Sequence, residues 1–186
     1  MYQRLVIRLV ELGLITTDRA EAALTELADW GAPDRAPRDV DLLGALRVCG
    51  VAVPVHGDDV DFAEAGYRWV LEEAAALSGG AVTVTDVELV PAEDEDEERE
   101  LRFRVNGVPA HWRIELASDD YLDLGAVWEG IEDLEPGGDD RRVFHPARPD
   151  NLYDDVYILA TPEQALALRD EFGMGIRVRG LADPGD

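Results

Sequence analysis

The chain has 186 residues, of which 41 are acidic and 17 are basic, and its formal net charge is −24 at pH 7. Such an excess of negative charge argues against binding to nucleic-acid phosphates or to anionic membranes, and it favours a basic protein partner. The single cysteine excludes an internal disulfide, and we expect a cytoplasmic protein. Arg8 and Glu11 interrupt the apolar run near the N-terminus, so neither a membrane span nor a signal peptide is expected there.

Residues 1–80 are predicted to form a helical region, because apolar residues recur there at helical spacing. Four helices are expected: one that ends before Gly13, one that begins at Asp18, one from about Asp39 to Cys49, and one from about Asp59 to Leu77. The "SGG" segment at 78–80 ends the last helix and is the predicted boundary between two domains.

Residues 81–186 are predicted to form an α+β domain with an antiparallel sheet. The segments "AVTVTDVELV" and "RELRFRVNGVPAHWRIEL" alternate in the manner of strands, and Asn106-Gly107 is typical of a two-residue hairpin turn. Such a turn places the apolar residues of the hairpin on one core-facing side. That side would carry Leu101, Phe103, Val105, Val108, Ala110, Trp112 and Ile114.

Further elements follow in this second half. A helix is predicted from about Tyr121 to Leu134, "RRVFHP" and "DVYILA" are predicted strands, and "IRVRGL" is a candidate edge strand. The segment "TPEQALALRDEFG" contains a full set of helix signals, with Thr161 as cap, Pro162 at the first helical position and Gly173 as the stop. The predicted fold class is therefore α+β, with an N-terminal helical part followed by an antiparallel sheet packed with two helices.

A run of six consecutive acidic residues lies between the first two predicted strands. It comprises Glu93, Asp94, Glu95, Asp96, Glu97 and Glu98. Adjacent like charges repel one another, so a solvated hairpin loop is expected. A calcium loop would need a glycine at its turn and spaced ligands, which this run lacks. Two interpretations stay open: the run only solvates the protein, or it is a docking surface for a basic partner.

Three arginines, Arg102, Arg104 and Arg113, share the polar face of the predicted hairpin. In one interpretation, neighbouring acids such as Glu88 and Glu100 neutralise them, and Glu100 stands opposite Arg113. In the other interpretation, the three guanidinium groups form an anion-binding or partner-binding patch.

The segment "SDDYLDLGAVWEG" combines acids with an aromatic side chain at a predicted helix start. Asp119, Asp120 and Asp123 have the position of helix-capping residues. The same acids together with Tyr121 are equally typical of a protein interface, in which aromatic side chains supply much of the binding energy. Tyr153 is a second candidate aromatic anchor for a partner.

The residue pattern predicts neither a catalytic site nor a metal site. His56, in "HGDDVD", precedes a predicted helix, where acids complement the helix dipole. His145 is followed by a proline-containing loop without the ligand spacing of a zinc site. Cys49 falls inside an apolar helix, where a buried and unreactive thiol is the usual case. We therefore expect no cofactor and no catalytic residues.

The order of motifs in the second half resembles a known kind of bacterial domain. The segment "LRFRVNGVPAHWRIELASDDYLDL", a helix, "RRVFHP" and "DVYILATPEQALAL" follow one another within residues 81–173. This order is similar to that of small acidic immunity and immunity-like proteins found near secreted polymorphic toxins. The residues that carry the resemblance, such as Asn106-Gly107, Trp112 and the "LATPEQ" cap, specify a fold rather than an activity. The resemblance implies a binding protein that occludes a toxin, often a basic nuclease.

The sequence thus predicts a non-enzymatic acidic protein-binding module, and the resemblance points to an immunity protein that neutralises a basic toxin. A structural or scaffolding subunit of a bacterial assembly is the main alternative, in which the helical first half would be the docking module. An enzyme that uses carboxylate or metal chemistry is the third reading.

Overall fold

The computed structural model describes residues 1–30, 38–57, 62–91, 98–115, 121–147 and 154–180. Within them the chain forms two three-stranded sheets and a set of helices, which confirms the predicted α+β class. The helices are α1 (Tyr2–Glu11), α2 (Thr17–Ala28), α3 (Asp39–Cys49), α4 (Ala63–Ala76), α5 (Leu124–Gly130) with a following 3₁₀ turn (Ile131–Leu134), and α6 (Pro162–Phe172). The strands are β1 (Ala52–His56), β2 (Val84–Pro91), β3 (Glu98–Val105), β4 (Val108–Glu115), β5 (Val143–Ala147) and β6 (Asp154–Ala160). None of these helices is long and apolar enough to cross a membrane.

The chain groups into two compact units, and neither is one continuous stretch. The first unit comprises Met1–Val53, Arg141–Leu152 and Val156–Asp186, and the second comprises Pro54–Asp140 and Tyr153–Asp155. The predicted boundary at 78–80 lies within the second unit, between α4 and β2. The division of the chain into domains 1–80 and 81–186 stays a prediction.

The first unit has one apolar core to which both ends of the described chain contribute. Helices α1, α2 and α3 contact one another. Leu5 and Leu46 of these helices belong to the same buried cluster as Ile158 of β6 and Leu168 of α6. The N-terminal helices therefore complete their burial with residues that follow position 140.

Strand β1 corrects the prediction that residues 1–80 are helical. Residues 51–55 read "VAVPV" and are all buried. A short apolar run between Gly50 and Gly57 is typical of a fully buried strand, and it is too short for a helix. Pro54 has no N–H group to donate, but β1 stands at the end of the sheet order β1-β6-β5, where a proline is tolerated.

The β3–β4 hairpin in the second unit has the predicted turn and the predicted register. Asn106 and Gly107 both have positive φ, 51° and 78°, as a two-residue turn of this kind requires. The Oδ1 atom of Asn106 accepts the N–H of Thr83 at 2.8 Å, which ties the turn to the residue before β2. The local sequence signal therefore acts together with a longer-range contact.

The predicted core face of this hairpin is confirmed except near its turn. Leu101, Phe103, Trp112 and Ile114 are buried. Val108 is 65% exposed, so its assignment to the core is wrong. Val108 directly follows the Asn-Gly turn, at the end of the hairpin, where less of the protein covers the sheet.

Trp112 fixes the position of α5 on the sheet. Its indole packs edge-on against Phe103, with the ring centroids 5.3 Å apart, and its Nε1–H donates to Asp133 Oδ2 at 3.0 Å. Gly130 passes directly over the indole, and a Cβ atom built there would lie 2.2 Å from Trp112 Cε2. Only a glycine allows this approach without displacing the ring.

Several helix ends differ from the predicted bounds, whereas α6 agrees with its signals. The helix predicted from Tyr121 begins at Leu124 because Asp123 is its cap, and it tightens into a 3₁₀ turn after Gly130. Helix α2 is capped by Thr16 and not by Asp18. Helix α6 has the predicted Thr161 capping box and ends at Gly173, with φ 69°. In "IRVRGL" the structure has only an isolated bridge between Ala147 and Ile176.

The substitution Gly130→Ala tests the contact with Trp112. A glycine in right-handed helical backbone normally gains about 0.4–1 kcal/mol of stability when it is replaced by alanine. Here we expect a loss of about 1–3 kcal/mol, because the new methyl group would overlap the indole. Urea denaturation of the two proteins measures the difference.

The control is the same substitution in a Trp112→Leu background. Without the indole, Gly130→Ala is expected to be neutral or stabilising, so the two substitutions should be strongly coupled. Equal costs of Gly130→Ala in both backgrounds would show that the indole is not the obstacle.

Candidate partner-binding surface

The acidic run connects two antiparallel neighbours, β2 and β3. Residues 93–97 lie outside the described part of the chain, so Glu93, Asp94, Glu95, Asp96 and Glu97 stay predictions as partner-binding residues. Glu98 begins β3, where its Cα is paired with that of Glu115 on β4.

The arginines on the polar face of the hairpin are engaged by neighbouring groups. Arg102 Nε donates to Glu100 Oε2 at 2.9 Å, and Arg104 Nε lies 3.2 Å from Asp86 Oδ2. Arg104 also donates to the carbonyl of Gly107 at 2.8 Å. Arg113 stands opposite Glu100 in the register, as predicted. These contacts favour the internal-pairing interpretation over an open anion-binding patch.

Asp86 was not among the acids expected to pair with the arginines. It lies at a bulge, where the pairing of β2 with β3 shifts between Thr85 and Glu88, and its φ is 55°. Aspartate is one of the few residues with a side chain that accept this left-handed backbone. The bulge re-aims the Asp86 carboxylate towards Arg104, and no simple alternation of strand residues would reveal that.

Asp123 has a structural role in the second unit. Its Oδ1 accepts the N–H of Ala126 and so caps α5, while its Oδ2 accepts the N–H of Glu115 at the end of β4. Its own N–H donates to the hydroxyl of Tyr67 on α4 at 2.8 Å. Burial raises the pKa of this hydroxyl, which therefore stays neutral. Asp123 thus ties α4, β4 and α5 together.

Of the other predicted partner-binding residues in this region, the structure describes only Tyr121. Tyr121 is exposed, as a partner-binding residue must be. Asp119, Asp120 and Tyr153 lie outside the described residues, so their predicted roles stay predictions.

Helix α4 carries a surface feature that the sequence reasoning missed. Its buried face includes Tyr67, Val70, Leu71 and Ala74, but the opposite face is also apolar. We call the outer stripe the exposed residues Ala65, Trp69 and Ala76 of this opposite face together with exposed Phe62, the N-cap residue that precedes α4. Their spacing of three, four and seven residues is visible in the sequence, but the stronger pattern of the buried face conceals it.

The outer stripe is flanked by negative charge. Glu72 and Glu73 are exposed on its two sides, since at about 100° per residue they fall to either side of Trp69 and Ala76. Arg68 is the only basic residue of α4, and it turns away to donate to the Val87 carbonyl on β2 and to Glu64. The solvent side of α4 is therefore apolar along its middle and acidic along its edges.

Two side chains of reactive type, Cys49 and His145, are buried in the first unit. Burial raises the pKa of the Cys49 thiol to about 11, so the reactive thiolate is absent at neutral pH. His145 is also buried: its Nε2 lies 3.0 Å from the Ala160 carbonyl, and its Nδ1 accepts the N–H of Arg179 at 3.0 Å. Burial lowers the pKa of His145, so the neutral ring with a proton on Nε2 is favoured.

Metal-ligating groups do not converge in the parts of the chain that the structure describes. No group of three or more His, Cys, Asp or Glu side chains there is arranged to hold a metal ion. His56 is exposed at the end of β1, and the acids that follow it in "HGDDVD" lie outside the described residues.

An open groove of about 570 Å³ lies in the first unit, on α1 and α6. It is lined by Gln3, Arg4, Ile7, Arg8, Glu11 and Glu171. Arg8 donates to Glu171 at 2.7 Å and to Glu11 at 3.1 Å, and these partners raise the pKa of its guanidinium group. Arg4 stacks over the Phe172 ring at 5.2 Å. Arg8 is thus paired with two carboxylates that line the groove, and its contact with Glu171 joins α1 to α6.

No family model matches the chain, and neither a curated protein nor a solved structure matches it significantly.

The buried ring of His145 predicts a loss of stability in mild acid. Its pKa is below 6.5 in the folded protein and near 6.5 in the unfolded chain, so the unfolded chain takes up the proton first. The stabilisation that the neutral His145 ring provides is fully present above the unfolded pKa. It is lost as pH falls towards the folded pKa, by up to about 1.4 kcal/mol per pH unit. Urea denaturation of the wild type and of His145→Gln over about pH 7.5 to 5 measures it.

The protonating carboxylates contribute to both curves, so the difference between the two proteins isolates His145. The wild type should lose stability relative to His145→Gln as pH falls, even if the variant is less stable throughout. Parallel curves for His145→Gln would contradict the assignment of the proton.

Proposed function

We propose that the protein is a non-catalytic binding module for a basic protein partner. The proposal rests on the surplus of negative charge, because the sequence has 41 acidic residues and 17 arginines. Arg68, Arg102 and Arg104 are engaged by groups of the same chain. These three arginines are thus held within the chain, and the surplus of carboxylates generates a negative field that attracts and orients a basic protein.

The form of this function that the sequence resemblance favours is immunity, in which the protein occludes a basic toxin. The negative field would accelerate encounter, and exposed aromatic side chains would supply affinity once the surfaces meet. Acids 93–98 and Tyr121 are the proposed contact residues from the sequence. Occlusion requires only a complementary surface, so it is compatible with buried, unreactive Cys49 and His145.

A scaffolding role in a bacterial assembly is the alternative, and exposed apolar side chains on the helices favour it. Ile7 on α1 and Phe62 before α4 are both exposed, and such residues are buried in a permanent complex. A scaffold would remain bound to its neighbour in stoichiometric amounts, whereas an immunity protein would relieve toxicity.

Co-expression with the product of a neighbouring toxin gene tests the immunity form. Expression of the toxin alone should stop growth of the host, and the intact chain should restore it because the complex blocks the toxin. Rescue that depends on the presence of the chain, together with co-purification of the two proteins, is the expected result. A chain that gives no rescue and elutes as a stable assembly with a non-toxic neighbour would favour the scaffold instead.

Neutralising acids 93–98 to Gln and Asn tests their predicted role. The association rate with the basic partner should fall about tenfold or more at low salt, because steering depends on local charge. The rates of variant and wild type should converge as salt screens the charges. Stopped-flow mixing at several salt concentrations measures the rates.

The control for this variant neutralises exposed acids on another part of the molecule. Glu21, Glu26 and Asp29 are exposed on or next to α2. Their replacement should reduce the association rate less for each charge removed. An equal loss per charge in both variants would assign the effect to net charge alone and remove the special role of the run.

A further inference from the structure

We propose that the outer stripe of α4 is the docking site for a basic amphipathic helix of the protein partner. This inference rests on the proposed function and adds to it the binding surface and the kind of segment that the surface accepts. None of Phe62, Ala65, Trp69 and Ala76 was a candidate from the sequence, and all four are exposed.

The first argument is the apolar character of a face that the fold does not need. Phe62 is 72% exposed and Trp69 is 37% exposed, although α4 already buries Tyr67 and Leu71 on its other side. Exposed aromatic side chains on a helix are costly in water, and a row of them typically marks an interaction site. Most of Phe62 and about a third of the Trp69 surface are therefore available to a partner.

The second argument is the shape of the stripe. Phe62 is the N-cap residue of α4, with extended backbone, and Trp69 follows it in the second turn of the helix. Ala65 and Ala76 are small, so a partner helix can approach closely between and beyond the two rings. An amphipathic helix binds by laying its apolar face against such an apolar surface.

The third argument is charge, which selects the partner. Glu72 and Glu73 flank the stripe, and Arg68 is directed away to β2. A helix with an apolar face and basic edges would pair its cations with these acids. A second copy of this chain would instead bring acids against acids, and each copy carries a net charge of −24. The complementary occupant is therefore a basic helix and not another protomer.

The test uses the full chain and a synthetic peptide of about 20 residues, long enough to form a helix, with leucines on one face and arginines on the other. A peptide of the same composition in scrambled order is the probe for charge alone. Fluorescence anisotropy of the labelled peptides gives Kd at low and at moderate salt. The amphipathic peptide should bind more tightly than the scrambled peptide.

Variants of the stripe should weaken the binding of the amphipathic peptide alone. Phe62→Ala and Trp69→Ala are each expected to raise its Kd about tenfold or more. Trp128→Ala is the matched control, because Trp128 lies on α5 and, like Trp69, is 37% exposed; its Kd should be unchanged. Glu72→Gln with Glu73→Gln should weaken binding at low salt, and the difference should shrink as salt rises. Circular dichroism and thermal unfolding verify that each variant is folded.

Four results would overturn the inference. The first two are equal Kd values for the amphipathic and scrambled peptides, and no loss of binding in Phe62→Ala and Trp69→Ala. The third is no binding of the amphipathic peptide at low salt. The fourth is a dimer of the free protein in sedimentation that Trp69→Ala dissociates. If the Kd depends on salt but is the same for wild type and the stripe variants, the proposed function remains supported, because charge alone would then bind the partner. Stripe-dependent peptide binding with no toxin rescue would instead count against the immunity function alone.

Discussion

The excess of 41 carboxylates over 17 arginines is the constraint that the whole structure must satisfy, because like charges on a compact protein repel one another. Several arginines oppose this repulsion by joining elements of the fold through hydrogen bonds to backbone carbonyls. Arg19 donates to the carbonyls of Val48 and Cys49 at the end of α3, Arg68 joins α4 to β2, and Arg179 donates to the Phe144 carbonyl on β5. Each of these guanidinium groups satisfies a backbone oxygen, so its charge is fixed within the fold. The negative charge that remains is on the outside, and this separation links stability to the proposed binding of a basic protein.

The carboxylates themselves divide into two kinds. Asp123 holds three elements of the second unit through its capping of α5, its bond to Glu115 N–H and its backbone bond to Tyr67. Asp86 and Glu100 hold arginines on the open face of the sheet. Glu72 and Glu73 are exposed beside apolar side chains. Acids such as Asp123, Asp86 and Glu100 hold the fold together. Only exposed acids such as Glu72 and Glu73 are therefore available to contact a partner.

Local signals predicted the elements whose determinants are adjacent in sequence. The Asn106-Gly107 turn predicts the hairpin register, and Thr161 with Gln164 predicts the start of α6. Strand β1 was missed although its short apolar run is local, because the run lies between two helices and its partner β6 is distant in the chain. The candidate site shows the same limit. Composition identified the acids, and the hairpin register identified the arginines. The pairing of Arg104 was not predicted because it depends on a bulge in β2. The outer stripe was not predicted because it can be recognised only when the buried face of α4 is known. Tertiary contacts supply that knowledge, and periodicity alone does not.

The core of the first unit has a consequence for synthesis. Leu5 and Leu46 share a buried cluster with Ile158 and Leu168, and the whole stretch Pro54–Asp140 separates them in translation order. A ribosome that has completed the helices α1 to α3 therefore carries an apolar surface whose covering strands do not yet exist. Such surfaces make nascent chains prone to aggregate. Residues 1–53 carry 8 acids and 6 arginines, whereas residues 54–140 carry 25 acids and 5 arginines. The negative charge that opposes such aggregation is therefore synthesised after the three helices and before the residues that cover them.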